Sequence, residues 1–290
     1  MAFADKLKSK SFVCLAEMET PKGVDLAAFV DNGRRLKGRV DAAVVPDQSH
    51  AVMRLAALAG ASVLKDLGLE VIVQFSCRDR NRLALQGDLL AAHVMGLGNV
   101  MATAGEPIEQ GDQPGAKVVG DLTPAEFLQA ATSLAQGRDL GGRELQGKPS
   151  FCMGAGIAPF RGAAEAAQRA AEARTAVEQG ASFLIAPPVF DLEEFAPLAK
   201  ELQGCGAVLI GSVLLLKSVG MARYLNQNLP GVNISEATIK RIRSASDRPA
   251  ECVKVAAETV RGLKDLCGGA HIVTAGWEDR LPQILDLAAL

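Results

Sequence analysis

The chain has 290 residues, of which 49% are hydrophobic and 22% charged, and its formal net charge is −2. Such a composition is typical of a globular protein, and the basic stripe that a nucleic-acid-binding surface requires is missing. The longest apolar run, 207–216, is interrupted by glycine and serine, and the first residues lack the hydrophobic segment of a signal peptide. We therefore expect a cytoplasmic protein that binds neither nucleic acid nor a membrane.

Short apolar segments alternate with helical patterns along the chain. Strands are predicted at 12–18, 40–45, 70–75, 99–103, 150–153, 182–185, 207–210 and 271–274. Helices are predicted at 24–36, 50–65 (with Ser49 as its cap), 81–96, from 123 (with Pro124 in the first turn), 162–179, from 192, 219–226, 236–244, 249–266 and 278–287. The strands do not alternate in polarity, which is typical of a parallel sheet buried on both faces.

Eight β/α units in a chain of this length predict a single (β/α)₈ TIM barrel that spans residues 1–290 as one domain. A doubly wound open sheet is the alternative. It is disfavoured because no Gly-x-Gly-x-x-Gly follows the first strand, and because no linker or change in composition marks a second domain.

The six cysteines and three histidines are scattered. No Cys-x-x-Cys pair occurs, and no histidine has ligand spacing to a cysteine, so we expect neither a disulfide framework nor a metal site. Cys77 lies beside Arg78 and Arg80, an environment that favours a thiolate, but no base or resolving cysteine is close in the sequence. We predict a packing role for Cys77.

Polar residues follow several predicted strands, and in a barrel the carboxyl ends of all strands converge on one mouth. Glu17 ends the first strand, where partial burial would raise the pKa of its carboxyl and suit it to act as a general acid. The alternative is a carboxylate satisfied by loop amides or by a basic neighbour. The third strand runs into the polar stretch 75–81, which is either part of a site or a solvated loop with Asn81 as a helix N-cap.

Other strand ends carry weaker candidates. Glu106 either lines the site or belongs to a turn, and the glycine pair Gly154 and Gly156 suits either close approach to a ligand or a tight turn. Arg161, at the start of the following helix, suits either a phosphate or the solvent.

Five motifs occur in an order that resembles the methylenetetrahydrofolate reductase family. They are Glu17-x-x-x-Pro-Lys-Gly, Cys-Arg-Asp-Arg-Asn at 77–81 with Leu-Gln-Gly at 85–87, Asn-Val at 99–100 leading to Gly-Glu-Pro at 105–107, Pro-Val-Phe-Asp at 188–191, and Leu-Asn-x-x-Leu-Pro-Gly at 225–231. The resemblance covers nearly the whole chain, from about residue 12 to 277.

The resemblance implies a flavin-dependent barrel oxidoreductase, acting on CH-NH donors, that reduces 5,10-methylenetetrahydrofolate to 5-methyltetrahydrofolate. It implies that Glu17 is the general acid that opens the folate ring before hydride transfer from the flavin, which would be FAD with FMN as the alternative. Strand ends and resemblance together assign folate contacts to Glu106 and Phe190. They assign flavin contacts to Asp47, Gln74, Ser76, Gly105, Gly154, Arg161 and Arg174.

The chain departs from the family pattern at several of these positions. Ala186-Pro187 replaces Thr-Gln, Gln74 replaces a histidine, Glu106 replaces an aspartate, and Arg174 is the one base left of a basic pair. A non-catalytic or electron-relaying subunit of a larger one-carbon reductase complex is therefore the alternative function, and a barrel enzyme for another one-carbon carrier is a third. We expect NAD(P)H or a partner reductase subunit as electron donor, and an oligomer or hetero-complex.

Overall fold

The computed structural model describes residues 2–9 and 11–290, which form a closed parallel barrel with the strands in chain order. The strands are β1 (Val13–Glu17), β2 (Ala42–Val45), β3 (Val71–Ser76), β4 (Asn99–Thr103), β5 (Cys152–Gly156), β6 (Ala181–Pro188), β7 (Val208–Leu214) and β8 (Gly269–Val273). The barrel closes where Val13 of β1 pairs with Gly269 of β8. The predicted (β/α)₈ fold is confirmed and the open sheet is wrong.

Helices alternate with the strands and surround them. They are α1 (Phe3–Lys8), α2 (Ala27–Leu36), α3 (Ala57–Asp66), α4 (Arg82–Val94), α5 (Pro124–Gln136), α6 (Gly162–Glu178), α7 (Leu192–Glu201), α8 (Val219–Asn228), α9 (Glu236–Ser244), α10 (Arg248–Leu263) and α11 (Leu281–Ala288). Among the described residues, no helix is both long enough and apolar enough to cross a membrane.

The predicted helix caps at Asn81 and Thr123 are confirmed, whereas the predicted cap at Ser49 is wrong, because α3 begins only at Ala57. The Asn81 side chain accepts hydrogen bonds from the backbone N–H groups of Leu83 and Ala84 at the start of α4. Thr123 and Glu126 form a reciprocal capping box at the start of α5, with Pro124 in the first turn. Each cap satisfies donors that the first helical turn leaves unpaired, so these two loops end in defined positions at the barrel mouth.

The prediction that a helix runs from residue 50 to 65 is wrong at its start. Residues 49–51 form a short 3₁₀ turn, and α3 begins only at Ala57. Gln48 and His50 have φ of 50° and 56°, in the left-handed region that an α-helix excludes. The Gln48 side chain bridges the loop by bonding both backbone groups of Arg54, which competes with helix formation.

The barrel interior is filled by apolar side chains and is closed at the amino ends of the strands by α1, a helix not predicted from the sequence. Phe3 of α1 is fully buried and packs edge-on against Phe183 of β6, with ring centroids 5.4 Å apart. Gly154 makes room for that ring, because a Cβ at this position would lie 2.1 Å from it. The pair Gly154 and Gly156 lies within β5, not after it as predicted.

Candidate active site at the barrel mouth

Glu17 is the last residue of β1 and faces into the barrel, since it follows Val13 and Leu15 of the interior at alternate positions. About 23% of its side chain remains accessible. Burial raises the pKa of Glu17 to about 8, and the carboxylates of Glu19, Glu106 and Glu278 add to the rise. The carboxyl therefore holds its proton at neutral pH, as the sequence predicts.

A histidine lies next to Glu17, because barrel closure places β8 beside β1, and a serine of β7 lies on the far side of that histidine. His271 Nε2 is 3.8 Å from a carboxyl oxygen of Glu17, and its Nδ1 is 3.2 Å from the hydroxyl of Ser212. Both residues are buried, and burial lowers the pKa of His271 to about 4, so the ring is neutral. Nε2 has no hydrogen-bond partner among residues 2–9 and 11–290.

Glu19, two residues after Glu17, has a different environment. Its carboxyl lies 2.8 Å from the Arg54 guanidinium and accepts a 2.6 Å hydrogen bond from the hydroxyl of Ser49. Glu19 therefore fixes the loop after β2, while Glu17 has no cationic partner within the described chain. Two carboxyl groups with separate environments take separate roles.

Asp47 and Arg80 form a buried connection between β2 and β3. The Asp47 carboxylate accepts a 3.0 Å hydrogen bond from the backbone N–H of Ser76 and pairs with the Arg80 guanidinium. Arg80 also lies 3.0 Å from Asp88 of α4. A buried carboxylate needs such partners, and here they hold the end of β3 against its neighbours.

Arg78 ties together the loops after β2, β3 and β4. It pairs through two nitrogens with Asp79, at 2.6 and 2.7 Å, and donates to the backbone carbonyl of Glu106 at 2.8 Å. The polar stretch that follows β3 thus shapes the mouth through its arginines. Cys77 lies behind it, and burial raises the pKa of its thiol to about 11, so the local arginines do not make it a thiolate.

Gly105 brings the loop after β4 against the end of β3. Its φ of +80° and its lack of a side chain permit this contact, since a Cβ would lie 2.9 Å from the Ser76 hydroxyl. That hydroxyl is fully buried and has no hydrogen-bond partner in the described ranges. A cavity of about 340 Å³ opens beside these residues, lined by Cys77, Arg78, Gly105, Glu106, Ile108 and Leu122 among others. Its size is that of a small-molecule pocket.

Glu106 and Phe190, the predicted folate contacts, lie on separate loops. The Glu106 side chain is 45% accessible and its carboxyl is 4.0 Å from His50 Nδ1. Phe190 is half-buried after β6 and lines a small cleft with Phe160 and Pro187. Arg161 lies near this cleft as the N-cap residue of α6, and it donates to the backbone carbonyl of Val232 at 2.9 Å.

The remaining predicted flavin contacts are not gathered at one place. Gln74 lies within β3, where its amide nitrogen is 3.7 Å from Met101 Sδ, and the open side of Gly154 is filled by Phe183. Arg174 lies near the C-terminal end of α6, where its guanidinium donates to the backbone carbonyl of Glu201 at the end of α7. Helices of the barrel run back towards the amino ends of the strands, so Arg174 lies away from the mouth.

His271 was missed from the sequence as a site residue, whereas Ser212, which follows the predicted seventh strand and Gly211, is one of the polar residues expected at the strand ends. Burying a polar side chain in an apolar strand costs free energy unless it has hydrogen-bond partners. A histidine or serine within such a strand therefore indicates a candidate site residue. Ser212 lies inside β7 and not after it, because β7 extends four residues beyond its predicted limit, and His271 lies mid-strand in β8.

Comparison with known proteins agrees with this geometry. The family model for methylenetetrahydrofolate reductase matches residues 3–288. The chain belongs to the methylenetetrahydrofolate reductase family. A search of curated proteins found no match.

Several solved structures share the barrel at low sequence identity. An uncharacterized protein from Clostridium thermocellum, which binds two copies of 5-methyl-5,6,7,8-tetrahydrofolic acid, aligns with a TM-score of 0.68 at 10% identity over 99% of this chain and 97% of that one. A long-chain alkane monooxygenase aligns at 0.56 and 11% identity, over 97% and 90%. A 2,3-dimethylmalate lyase aligns at 0.51 and 13% identity, over 99% and 84%. These alignments support the fold.

Proposed function

We propose that this member of the methylenetetrahydrofolate reductase family reduces 5,10-methylenetetrahydrofolate to 5-methyltetrahydrofolate, with Glu17 as the general acid. The observation that carries the proposal is the inward-facing Glu17 carboxyl, whose pKa is raised to about 8 at the end of β1. The methyltetrahydrofolate bound by the Clostridium thermocellum protein, which shares the barrel fold, is consistent with a folate ligand.

Glu17 would donate its proton to the ring nitrogen that leaves the methylene carbon, which opens the five-membered ring. The resulting iminium carbon then accepts a hydride, and a bound flavin would supply that hydride. The accessible part of the Glu17 side chain lets the carboxyl recover its proton from solvent. A buried acid with a pKa near the working pH suits this role, because it is protonated and still able to transfer its proton.

Part of the mouth fits a flavin. The unpartnered Ser76 hydroxyl, with Gly105 against it, would face the flavin ring, and Gln74 lies further down β3. Of these three residues, only Gly105 lines the 340 Å³ cavity. Asp47 would act indirectly by holding Ser76. For the phosphate, Arg161 is the arginine of the predicted pair that lies at the mouth.

The test separates the two half-reactions by stopped-flow absorbance of the flavin. Glu17→Gln keeps the size and polarity of the side chain but removes the acidic proton. We expect normal flavin content and normal flavin reduction, with reoxidation by methylenetetrahydrofolate slowed at least about a hundredfold. Glu19→Gln is the matched control, and its reoxidation should stay near the native rate. Reoxidation of Glu17→Gln at the native rate would show that another group is the acid.

One observation favours the non-catalytic subunit as a second candidate. Arg78 and Arg80 at the mouth are paired with aspartates of the protein, so these two guanidinium groups are not available to bind a flavin diphosphate. The visible spectrum of the purified protein distinguishes the candidates. Flavin bands near one equivalent per chain support the reductase, and a colourless protein that also fails to bind added FAD or FMN supports the subunit.

A further inference from the structure

The buried pair Ser212 and His271 is not used by the mechanism above, although it touches the proposed acid. His271 lies between its two neighbours in the sheet, paired in register with Ser212 of β7 and with Leu15 of β1. Its ring is 4% accessible, and Nε2 points towards Glu17 without a hydrogen-bond partner in the described part of the chain. A buried nitrogen without a hydrogen-bond partner costs free energy, so Nε2 should have a partner in the working protein.

The two tautomers of a neutral imidazole would act on Glu17 in opposite ways. If Nε2 carries the proton, it donates to Glu17 and favours the carboxylate. If Nδ1 carries the proton, Ser212 accepts it, and the bare Nε2 can accept the proton of a neutral Glu17 carboxyl. Nε2 and the Glu17 carboxyl oxygen are 3.8 Å apart, and rotation of the carboxyl group brings them to hydrogen-bond distance.

The charges around Glu17 select between these arrangements. Glu19 on its own loop, Glu106 after β4 and Glu278 before α11 all raise the pKa of Glu17. These three carboxylates oppose a further negative charge on Glu17, and neither Ser212 nor the neutral His271 supplies a positive one. The protonated carboxyl therefore requires an acceptor, and the bare Nε2 is the buried acceptor beside it.

We propose that Ser212 and His271 are positioning residues: Ser212 accepts from Nδ1–H of His271, and the bare Nε2 accepts from the Glu17 carboxyl and orients its proton. The effect of these hydrogen bonds on catalysis rests on the proposed function, but the hydrogen bonds themselves do not. When the substrate nitrogen enters the mouth, the carboxyl transfers its proton there and Nε2 gives up its hydrogen bond. No proton leaves or enters His271 in this step.

Nuclear magnetic resonance of ¹⁵N-histidine-labelled protein tests the arrangement without any turnover. The chain has three histidines, so single His50→Asn and His93→Asn variants assign the signals of His271. Long-range ¹H–¹⁵N spectra distinguish an Nδ1-protonated ring from an Nε2-protonated one. We expect the Nδ1–H tautomer for His271 from pH 5.5 to 7, where the Glu17 carboxyl keeps its proton. An Nε2–H tautomer in the unmodified protein would overturn the proposal, even if every variant failed to fold.

Two substitutions at position 212 extend the test. Ser212→Ala removes the acceptor of Nδ1–H and should shift the ring to the Nε2–H tautomer, while Ser212→Thr keeps a hydroxyl and should preserve the native tautomer. An Nδ1–H tautomer that persists in Ser212→Ala would refute the role of Ser212.

The pH profile of flavin reoxidation by methylenetetrahydrofolate gives the catalytic readout. In Ser212→Ala the alkaline limb should move to lower pH by about one unit, the scale of one lost hydrogen bond, and Ser212→Thr should restore it. A structural defect alone would lower the rate at every pH and leave the limb in place, which would overturn the positioning role. Absence of folate turnover in the unmodified protein, with the predicted tautomers present, would refute the proposed function and leave the hydrogen-bond arrangement standing.

Discussion

Replacing Glu17 by glutamine should stabilise the folded protein at neutral and alkaline pH. The folded state raises the pKa of Glu17 from 4.5 to about 8, so folding opposes ionisation of this carboxyl. A group whose pKa is raised on folding contributes stability that is complete below its unfolded pKa. That contribution is lost as the pH rises from 4.5 towards 8. The amide side chain of the Glu17→Gln variant is neutral throughout this range and would not suffer the loss.

The size of the effect follows from the shift. One pKa unit corresponds to about 1.4 kcal/mol, so the variant should gain about 3 kcal/mol over the native protein at pH 7 and about 5 kcal/mol above pH 8. Their free energies of unfolding should converge at about pH 4.5. Since whole domains are stable by about 5–15 kcal/mol, the gain is easily measured.

Urea denaturation at a series of pH values from 4.5 to 9 is the assay, with the difference between the two proteins as the quantity of interest. The pKa of His271 is lowered to about 4, so its neutral form contributes stability above pH 6.5 that is lost on acidification. The native protein and the Glu17→Gln variant share this opposite pH dependence, so it cancels when their free energies of unfolding are subtracted. Glu19→Gln loses an ion pair with Arg54 and removes only one of the smaller causes of the raised pKa of Glu17, so its pH-dependent gain should be much smaller than that of Glu17→Gln. A Glu17→Gln difference that stays constant with pH would refute the reasoning, since the carboxyl would then be ionised throughout and unable to act as an acid.

Three further substitutions test the surroundings of the site. Cys77→Ala should keep most of the activity, because burial raises the pKa of this thiol to about 11 and gives it a packing role; total loss of turnover with flavin still bound would contradict this. Arg161→Ala should weaken flavin retention, measured by equilibrium dialysis, about ten- to a hundredfold, whereas Arg174→Ala, remote from the mouth, serves as the control; equal loss in both would place the phosphate elsewhere. Asp47→Ala should lower the free energy of unfolding by about 3 kcal/mol in urea denaturation because it leaves Arg80 partly unpaired, and a change below about 1 kcal/mol would show that the connection contributes little.

Much of the barrel could be predicted from the sequence, because each buried strand is a short apolar run bounded by turn residues. Helix α9 has the predicted limits, and the caps at Asn81 and Thr123 depend on local contacts that the sequence shows directly. The delayed start of α3 could not be predicted in this way. It depends on a side-chain bridge from Gln48 to Arg54, which competes with an otherwise adequate helical pattern.

The candidate site was predictable only in part. Glu17 stands out because a carboxyl ends an apolar strand, and the direction of its pKa follows from that position. Its neighbours His271 and Ser212 come from strands at the other end of the chain, and only the register of the closed barrel brings them together. Arg174 was placed on the correct helix from the sequence, but the sequence did not show that it lies at the end of the barrel away from the mouth.

The contact between Phe3 and Phe183 has a consequence for how the chain folds during synthesis. The ring of Phe183, against which Phe3 packs, is translated roughly 10–40 s after Phe3 at typical elongation rates. Until then α1 has an apolar face without its partner, and a six-residue helix is unstable alone in water. Docking of α1 therefore belongs to the last stages of folding, together with the pairing of β1 and β8. Protection of its amides from hydrogen exchange would report when the barrel has closed.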